Sequence, residues 1–348
     1  MTRINKLREK LNKNEGIIVS NPSNAFYLSE IRSSNITLYI TKEKAILFTD
    51  FRYKELAEKN KYGFSVVSDK DFLSSFSRFL SDEAEILVEN DYITLDFYEK
   101  LNKKCKEHKN IKFLSAKNII NDLRIIKDED EISNIKKACE TAENAYLITL
   151  PDIKEGMTEL ELKALLQYNM MLTPSFDTIV LFGGNSSLPH GVSGERILKN
   201  GDAILMDFGC FYNGYASDMT RTVFFGNPSE DQKKIYKTVL KAHEIAAEFI
   251  SDSKDCSKID RVAREYIDNA GYRGLFGHSL GHGVGIDIHE SPGLMTKSVE
   301  MLKENMVFTI EPGIYIEKNF GVRIENTYVL AENTAKSLIN VEKSLTIL

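Results

Sequence analysis

The sequence has no tryptophan, only seven prolines in 348 residues, and four cysteines too widely spaced to form a CxxC pair. Cys105, Cys139, Cys210 and Cys256 therefore suggest neither a disulfide framework nor a thiolate zinc site, and they read as reduced, buried thiols. No apolar run approaches the roughly 20 residues that a membrane-spanning helix needs. The opening segment MTRINKLREKLNKNEG is too charged for a secretory signal, so a soluble, cytoplasmic protein without membrane partners is expected. A basic surplus is also lacking: 45 Lys plus Arg face 51 Asp plus Glu, a net charge of −6. Binding to nucleic acid draws on a basic footprint that releases counterions, so that class of partner is excluded. Hydrophobic residues, at 42%, suffice for sizeable cores, and the length suggests roughly two domains.

The charge is unevenly divided. Residues 1–125 hold 22 basic and 18 acidic side chains, net +4, whereas residues 126–348 hold 23 and 33, net −10. In the first part, the apolar runs Gly16–Val19, Ile36–Ile40, Ala45–Phe48, Glu85–Val88 and Ile111–Leu114 predict strands. Tyr53–Asn60, Lys70–Leu80 and Thr94–Glu107 predict helices, which together make an α/β domain over residues 1–124. Its only histidine, His108, reads as a solvated surface residue. From Ile125 to Leu150 the apolar positions keep helical spacing, opening a second domain over 125–348. Further helices are predicted over Glu159–Met171, with Thr158 and Glu161 forming a capping box, and over Ser229–Ser251 and Ser257–Gly271. Strands are predicted over Ala203–Phe211, Tyr215–Phe225, Met306–Glu311 and Gly321–Leu330.

The chemistry gathers in this second part. Asn213-Gly214 is a strong two-residue hairpin signal. With that loop Tyr212 pairs with Tyr215, Asp207 faces Thr220 and Asp218 faces Gly209, so Asp207 and Asp218 share one face of the ladder. The run around Asp207 is apolar on both faces, and an unpaired buried carboxylate is costly. Glu311 ends the run Met306–Ile310, and Glu325 lies in Gly321–Leu330 with Arg323 and Thr327 on the same face. Taken singly, each glutamate reads as an ordinary strand-edge charge.

The histidines shift that balance. His278 and His282 lie four apart, but no Glu follows His278, and four glycines in the nine residues 277–285 oppose a helix, so a zincin is excluded. An extended or looped segment is expected, its glycines allowing backbone to approach a ligand. His190 and His289 also sit in Gly- or Pro-marked segments, while His243 lies on a predicted helix and reads as structural. Four convergent carboxylates repel, by roughly 4 kcal/mol for a pair about 4 Å apart at an effective dielectric near 20, and survive together only with protons or cations. Four carboxylates and one imidazole without thiolate suit two divalent ions such as Mn2+, Co2+ or Zn2+. Such a pair turns water into a hydroxide nucleophile for amide hydrolysis.

The ordered set MDFGCFYNGYASDMTRT, GHSLGHGVGIDIHESPG, TIEPGIYIE and GVRIENTYVL resembles the pita-bread metallopeptidases, the group of methionine aminopeptidase, aminopeptidase P and prolidase. NPSNAFYLS and LFTDFRY are similar to the N-terminal domain of the Xaa-Pro peptidases. The resemblance implies a creatinase-like α/β N-terminal domain followed by an α+β pita-bread catalytic domain. It implies metal ligands Asp207, Asp218, His282, Glu311 and Glu325, with Asp207 and Glu325 bridging two ions, Mn2+ first among them. His190, His278 and His289 would surround the substrate, Glu311 would relay a proton, Arg323 would anchor the acidic network and Tyr315 would stand near the metal. His278 and Arg323 favour the Xaa-Pro branch, with proline-containing peptides as substrates and a homodimer as the assembly. Gly293 stands where many short prolidases carry an arginine that holds a substrate carboxylate. That departure leans the reading toward an aminopeptidase P rather than a strict Xaa-Pro dipeptidase. A catalytically silent peptide-binding homologue is disfavoured because all five ligands are present.

Overall fold

The computed structural model describes residues 2–59, 62–69, 71–80, 85–106 and 111–348. The chain divides into two compact units, residues 1–124 and 125–348. His108 and the predicted helix ends Asn60, Lys70 and Glu107 lie outside the described residues. Among the described residues no helix is long and apolar enough to cross a membrane.

The first unit is built on a six-stranded sheet of β1 (Glu15–Val19), β2 (Ile36–Thr41), β3 (Ala45–Thr49), β4 (Ser65–Ser68), β5 (Glu85–Val88) and β6 (Lys112–Ser115), ordered β4-β3-β2-β1-β5-β6. The central β1-β2-β3 meander is antiparallel, and parallel strands extend it on both sides. The polar turn Thr41–Lys44 closes the β2-β3 hairpin, with the Lys44 amide donating to the Thr41 hydroxyl oxygen at 2.9 Å. Ile18, Tyr39, Phe48, Phe76 and Val88 form the core beneath the helices. Among the short elements that escape the sequence reading are helices Arg3–Lys10 and Pro22–Ser29, and β4. Each spans eight residues or fewer, too few for periodicity to register, and the helices are set by their caps Thr2 and Asn21.

In the second unit, helices Glu129–Thr149, Glu159–Met170 and Glu230–Phe249 all begin at capping boxes, built by Asp128 with Glu131, Thr158 with Glu161, and Ser229 with Gln232. Helix Cys256–Ile267 starts one residue before the expected Ser257, because Asp255 caps it by accepting from the Ser257 and Lys258 amides. The strands are β7 (Ile179–Phe182), β8 (Ala203–Phe208), β9 (Phe211–Tyr212), β10 (Tyr215–Ala216), β11 (Met219–Phe224), β12 (Gly281–Gly283), β13 (Glu290–Leu294), β14 (Val307–Ile310), β15 (Gly313–Ile316), β16 (Phe320–Arg323), β17 (Asn326–Ala331) and β18 (Thr334–Ser337). They form the sheets β11-β8-β7 and β13-β12-β14-β17-β18 and the ribbons β9-β10 and β15-β16. Ile235, Val239, Ala242 and Ala246 of one helix join Ile259, Ala263 and Ile267 of the next in one core with Phe308, Ile310 and Tyr328.

The expected single strand Gly321–Leu330 is two. β16 pairs with β15, then the chain crosses at Ile324-Glu325 and continues as β17 against β14. At the crossing the Glu325 amide donates to the Thr220 carbonyl at 3.1 Å, and Arg221 Nη1 donates to the Glu325 carbonyl at 2.6 Å. The sequence pattern does not show this, because apolar residues on both sides of Glu325 are buried whichever sheet they join.

His243 is fully buried, with Nε2 3.5 Å from the Tyr328 hydroxyl. Burial, with Lys343 and Arg221 as nearby cations, holds its pKa well below 6.5, so the folded chain keeps it neutral. The unfolded chain takes up this proton as pH falls through about 6.5, so stability drops on acidification by up to about 1.4 kcal/mol per pH unit from this residue. His243→Leu should therefore flatten the acid limb of urea-unfolding stability between about pH 6.5 and 5, relative to the parent chain. Parallel loss of stability in the two proteins refutes the assignment.

Candidate metal centre

The site starts from the β8–β11 hairpin. Asn213 and Gly214 adopt φ of 47° and 86°, the left-handed pair that a tight turn between twisted strands requires. Tyr212 lies opposite Tyr215 and Asp207 opposite Thr220, the register that the Asn-Gly spacing predicts. Asp218 sits just before β11, and its carbonyl accepts from the Thr327 hydroxyl at 2.8 Å.

A second element brings in His282 and Glu311. The strand carrying His282 lies so close to the one carrying Glu311 that a Cβ on Gly281 would stand 2.0 Å from the Thr309 carbonyl oxygen. A Cβ on Gly283 would stand 2.2 Å from the Ser291 carbonyl oxygen on the other side. These two glycines therefore serve strand-to-strand approach, not the approach to a ligand that the sequence suggests. The Thr309 hydroxyl accepts from the His282 amide at 3.1 Å and reaches Glu311 Oε1 at 3.3 Å, fixing both residues at once.

These pieces converge. Ligand atoms of Asp218, His282 and Glu325 lie within 4.8 Å of one another. His282 Nε2 is 3.5 Å from Asp218 Oδ2 and 3.4 Å from Glu311 Oε1. His282 Nδ1 lies 3.1 Å from the Gly283 carbonyl, which can only accept, so Nδ1 carries the proton. Burial pushes the imidazole pKa down to about 4, leaving a neutral ring whose Nε2 lone pair faces two carboxylates. Oδ1 of Asp207, Oδ1 of Asp218 and Oε1 of Glu325 are buried with no hydrogen-bond partner. Lone pairs aimed at lone pairs are stable only around protons or cations, and this donor set of carboxylate oxygens and one imidazole fits divalent cations. Burial and the neighbouring carboxylates push Asp218 and Glu311 well above the usual carboxylate range, and burial with the Asp207 charge pushes Glu325 up to about 8. Cation binding would reverse those shifts by favouring the charged forms.

A second network lies behind the acids. Arg323 donates to Asp207 Oδ2 at 2.5 Å, the Thr220 hydroxyl at 3.1 Å, the Tyr315 hydroxyl at 2.9 Å and the Pro189 carbonyl at 3.2 Å. The Thr220 hydroxyl in turn donates to Glu325 Oε2 at 2.6 Å. His278 Nδ1 donates to the Ser279 carbonyl at 2.8 Å, so Nε2 accepts from the Tyr315 hydroxyl at 2.8 Å. Burial and the Arg323 charge hold His278 at about 3, and it is neutral.

Asp207, Asp218, His282, Glu311, Glu325, Arg323, His190, His278 and His289 all line one cavity of about 280 Å³. His289 packs its ring 4.2 Å from that of His282, and both His190 and His289 are exposed. Phe176, Ile179, Ile288 and Met295 complete an apolar wall that sequence reasoning missed, because isolated apolar residues carry no periodic signal. Thr220 could have been found from the hairpin register. Asp260 and Arg264 are an i,i+4 pair, and Arg264 donates to the carbonyls of Phe276 and His278 while Asp260 accepts from the Leu280 amide. Their spacing was visible, but not the distant loop they clamp. Gly293 lies opposite His282, and a Cβ there would meet Met295 Cε at 2.6 Å, so an apolar side chain covers that position.

Residues 133–332 match the model of metallopeptidase family M24, and residues 3–126 match the creatinase/prolidase N-terminal domain. The chain is 38% identical to the Xaa-Pro dipeptidase of Pyrococcus furiosus, covering 99% of each. It superposes on the Xaa-Pro dipeptidase of Bacillus anthracis with a TM-score of 0.93 at 33% identity, covering 99% of each chain. An X-Pro aminopeptidase from Thermotoga maritima gives a TM-score of 0.91 at 35% identity, covering 98% of this chain and 99% of that one. The convergence of acids and imidazole and these whole-length matches lead to one conclusion: the chain belongs to metallopeptidase family M24, hydrolases of the pita-bread fold, on its Xaa-Pro peptidase branch.

Proposed function

We propose that this chain is a metal-dependent Xaa-Pro peptidase that cleaves the bond between an N-terminal residue and a following proline, working chiefly as a dipeptidase. The observation that carries the reading is a cavity in which Asp207, Asp218 and Glu325 each bury one carboxylate oxygen without a partner, while His282 Nε2 faces other oxygens of Asp218 and Glu311. Asp207, Asp218, His282, Glu311 and Glu325 would hold two divalent ions, Mn2+ before Co2+ or Zn2+. Bound ions supply Lewis-acid polarisation of the scissile carbonyl and activation of water at neutral pH. The protein does the rest. Arg323 holds Asp207 in place through the bond from its Nη2 to Oδ2. Glu311 would take a proton from the attacking water and pass it to the departing imino nitrogen of proline. His190, His278 and His289 would face the peptide around the scissile bond. Proline lacks the amide N–H that ordinary peptidases grip, and its ring fixes φ, so a dedicated cavity is needed.

The lean toward aminopeptidase P rested on Gly293. Whole-length similarity to relatives named Xaa-Pro dipeptidase supports the dipeptidase mode better, and a cavity of about 280 Å³ is at the small end for ligand pockets and suits a short peptide. Assembly as a homodimer in the cytoplasm completes the proposal, and sedimentation at micromolar concentration reads the oligomeric state. The deciding experiment gives metal-stripped enzyme Mn2+, Co2+ or Zn2+ and compares Ala-Pro with Ala-Pro-Gly-Gly. The expected kcat/KM is about tenfold or more higher on the dipeptide, corresponding to about 1.4 kcal/mol in transition-state binding. Preference for the longer peptide reinstates the aminopeptidase, and cleavage of neither by metal-loaded protein overturns the peptidase reading.

A further inference from the structure

Arg221 is 1% exposed and lies on the face of β11 opposite to Thr220. Its Nη atoms donate to four neutral acceptors: the carbonyls of Thr220 at 2.9 Å, Glu325 at 2.6 Å and Val341 at 2.9 Å, and Asn326 Oδ1 at 2.8 Å. Its Nε is buried without a partner. A guanidinium removed from water with only neutral hydrogen-bond partners is costly, and a neutral side chain of similar length would avoid that cost. Two features of its position explain why a cation is kept there. It grips the backbone where the chain crosses from β16 to β17, and the residue at that crossing is Glu325. It also lies one residue along β11 from Thr220, whose carbonyl holds the Glu325 amide and whose hydroxyl holds the Glu325 carboxylate.

We propose that Arg221 is a positioning residue for the metal centre. From the rear of the hairpin it fixes the backbone of Glu325 at the crossing between two sheets and sets a buried positive charge behind the acidic cluster. The inference rests on the reading of that cluster as a cation site. Glu325 then has its amide, its carbonyl and one carboxylate oxygen all fixed from residues 220 and 221, leaving Oε1 as the atom offered to the cavity. The arrangement separates support from ligation: Arg221 touches no ligand carboxylate, yet governs where one of them points.

The test is Mn2+ binding to the metal-stripped full-length chain by calorimetry, with circular dichroism and thermal unfolding of the same samples. For Arg221→Gln the Mn2+ Kd is expected to rise about 10- to 100-fold, the usual scale for groups that orient metal ligands. Arg221→Lys, which keeps the charge but not the fork, should lose less. A folded Arg221→Gln chain that binds Mn2+ as tightly as the parent, with only its unfolding temperature lowered, makes Arg221 a purely structural residue and overturns the proposal. If neither Arg221 variant folds, Asn326→Ala decides, since it leaves the arginine in place but frees one of its four bonds. A several-fold loss of Mn2+ affinity there supports the proposal and unchanged affinity overturns it. A parent chain that takes up no Mn2+ overturns the metal-centre reading and this inference together, whereas failure of the inference alone leaves parent binding intact.

Discussion

Replacing Asp218 with asparagine is expected to lower kcat/KM on Ala-Pro by about 10³-fold or more while making the metal-free protein more stable. The first effect follows from losing a charged oxygen that neighbours both His282 and Glu325 within the proposed cation site. Metal assistance is worth several kcal/mol of transition-state stabilisation, and each 1.4 kcal/mol is about a factor of ten. The second effect follows from electrostatics. Asp218 is buried among Glu325, Asp207 and Glu311, which together with desolvation push its carboxyl well above the usual range. Without cations, each charged neighbour about 4 Å away costs roughly up to 4 kcal/mol at an effective dielectric near 20, and an amide removes that repulsion. The parent chain should gain thermal stability on adding Mn2+, whereas Asp218→Asn should start higher and gain little. Calorimetric melting with and without Mn2+, alongside turnover of Ala-Pro, reads both effects. A variant with near-parent activity sinks the ligand assignment, and one whose metal-free form is less stable sinks the repulsion argument.

Gly281→Ala should be among the most destabilising single-methyl changes. Its Cβ would lie 2.0 Å from the Thr309 carbonyl oxygen, a backbone atom that cannot swing aside. The strand carrying His282 must then part from the strand carrying Glu311, at the expense of the bond from the Glu311 amide to the Leu280 carbonyl at 2.8 Å and of the His282–Thr309 contact. Overpacking of this kind costs about 3 kcal/mol or somewhat more, which lowers Tm by roughly 6–12 °C for a unit of this size. Because the same displacement separates His282 from Glu311, Mn2+ affinity should fall in parallel. An unchanged Tm would falsify this account of the glycine.

The contrast between Gly281 and Asn213-Gly214 shows where the sequence could be read. The hairpin turn is local: two residues with left-handed backbone select the loop, and the loop sets the register that puts Asp207 opposite Thr220. The capping boxes of helices Glu129–Thr149, Glu159–Met170 and Glu230–Phe249 are equally local, each closed within four residues. The glycines around His282 announced close approach, but not to what, since their neighbours Thr309 and Ser291 are set by sheet order. β12 is a three-residue Gly-His-Gly strand and β13 is broken by Pro292 and Gly293, so neither carries an alternating pattern to mark it as a strand.

By itself the sequence determined which residues were chemically suited to hold cations, the face shared by the two hairpin aspartates, and the helices that frame the second unit. These depend on backbone preferences and hydrogen bonds spanning a few residues, which any stretch of chain carries with it. Tertiary structure alone decided that Asp207, Asp218, His282, Glu311 and Glu325 meet in one cavity, and that Glu325 stands at a crossing between sheets with Arg221 behind it. It also decided which carboxylate oxygens are left without partners. Such features arise from desolvation and from contacts between segments more than a hundred residues apart, and only the folded chain brings those segments close enough for their charges to act on one another.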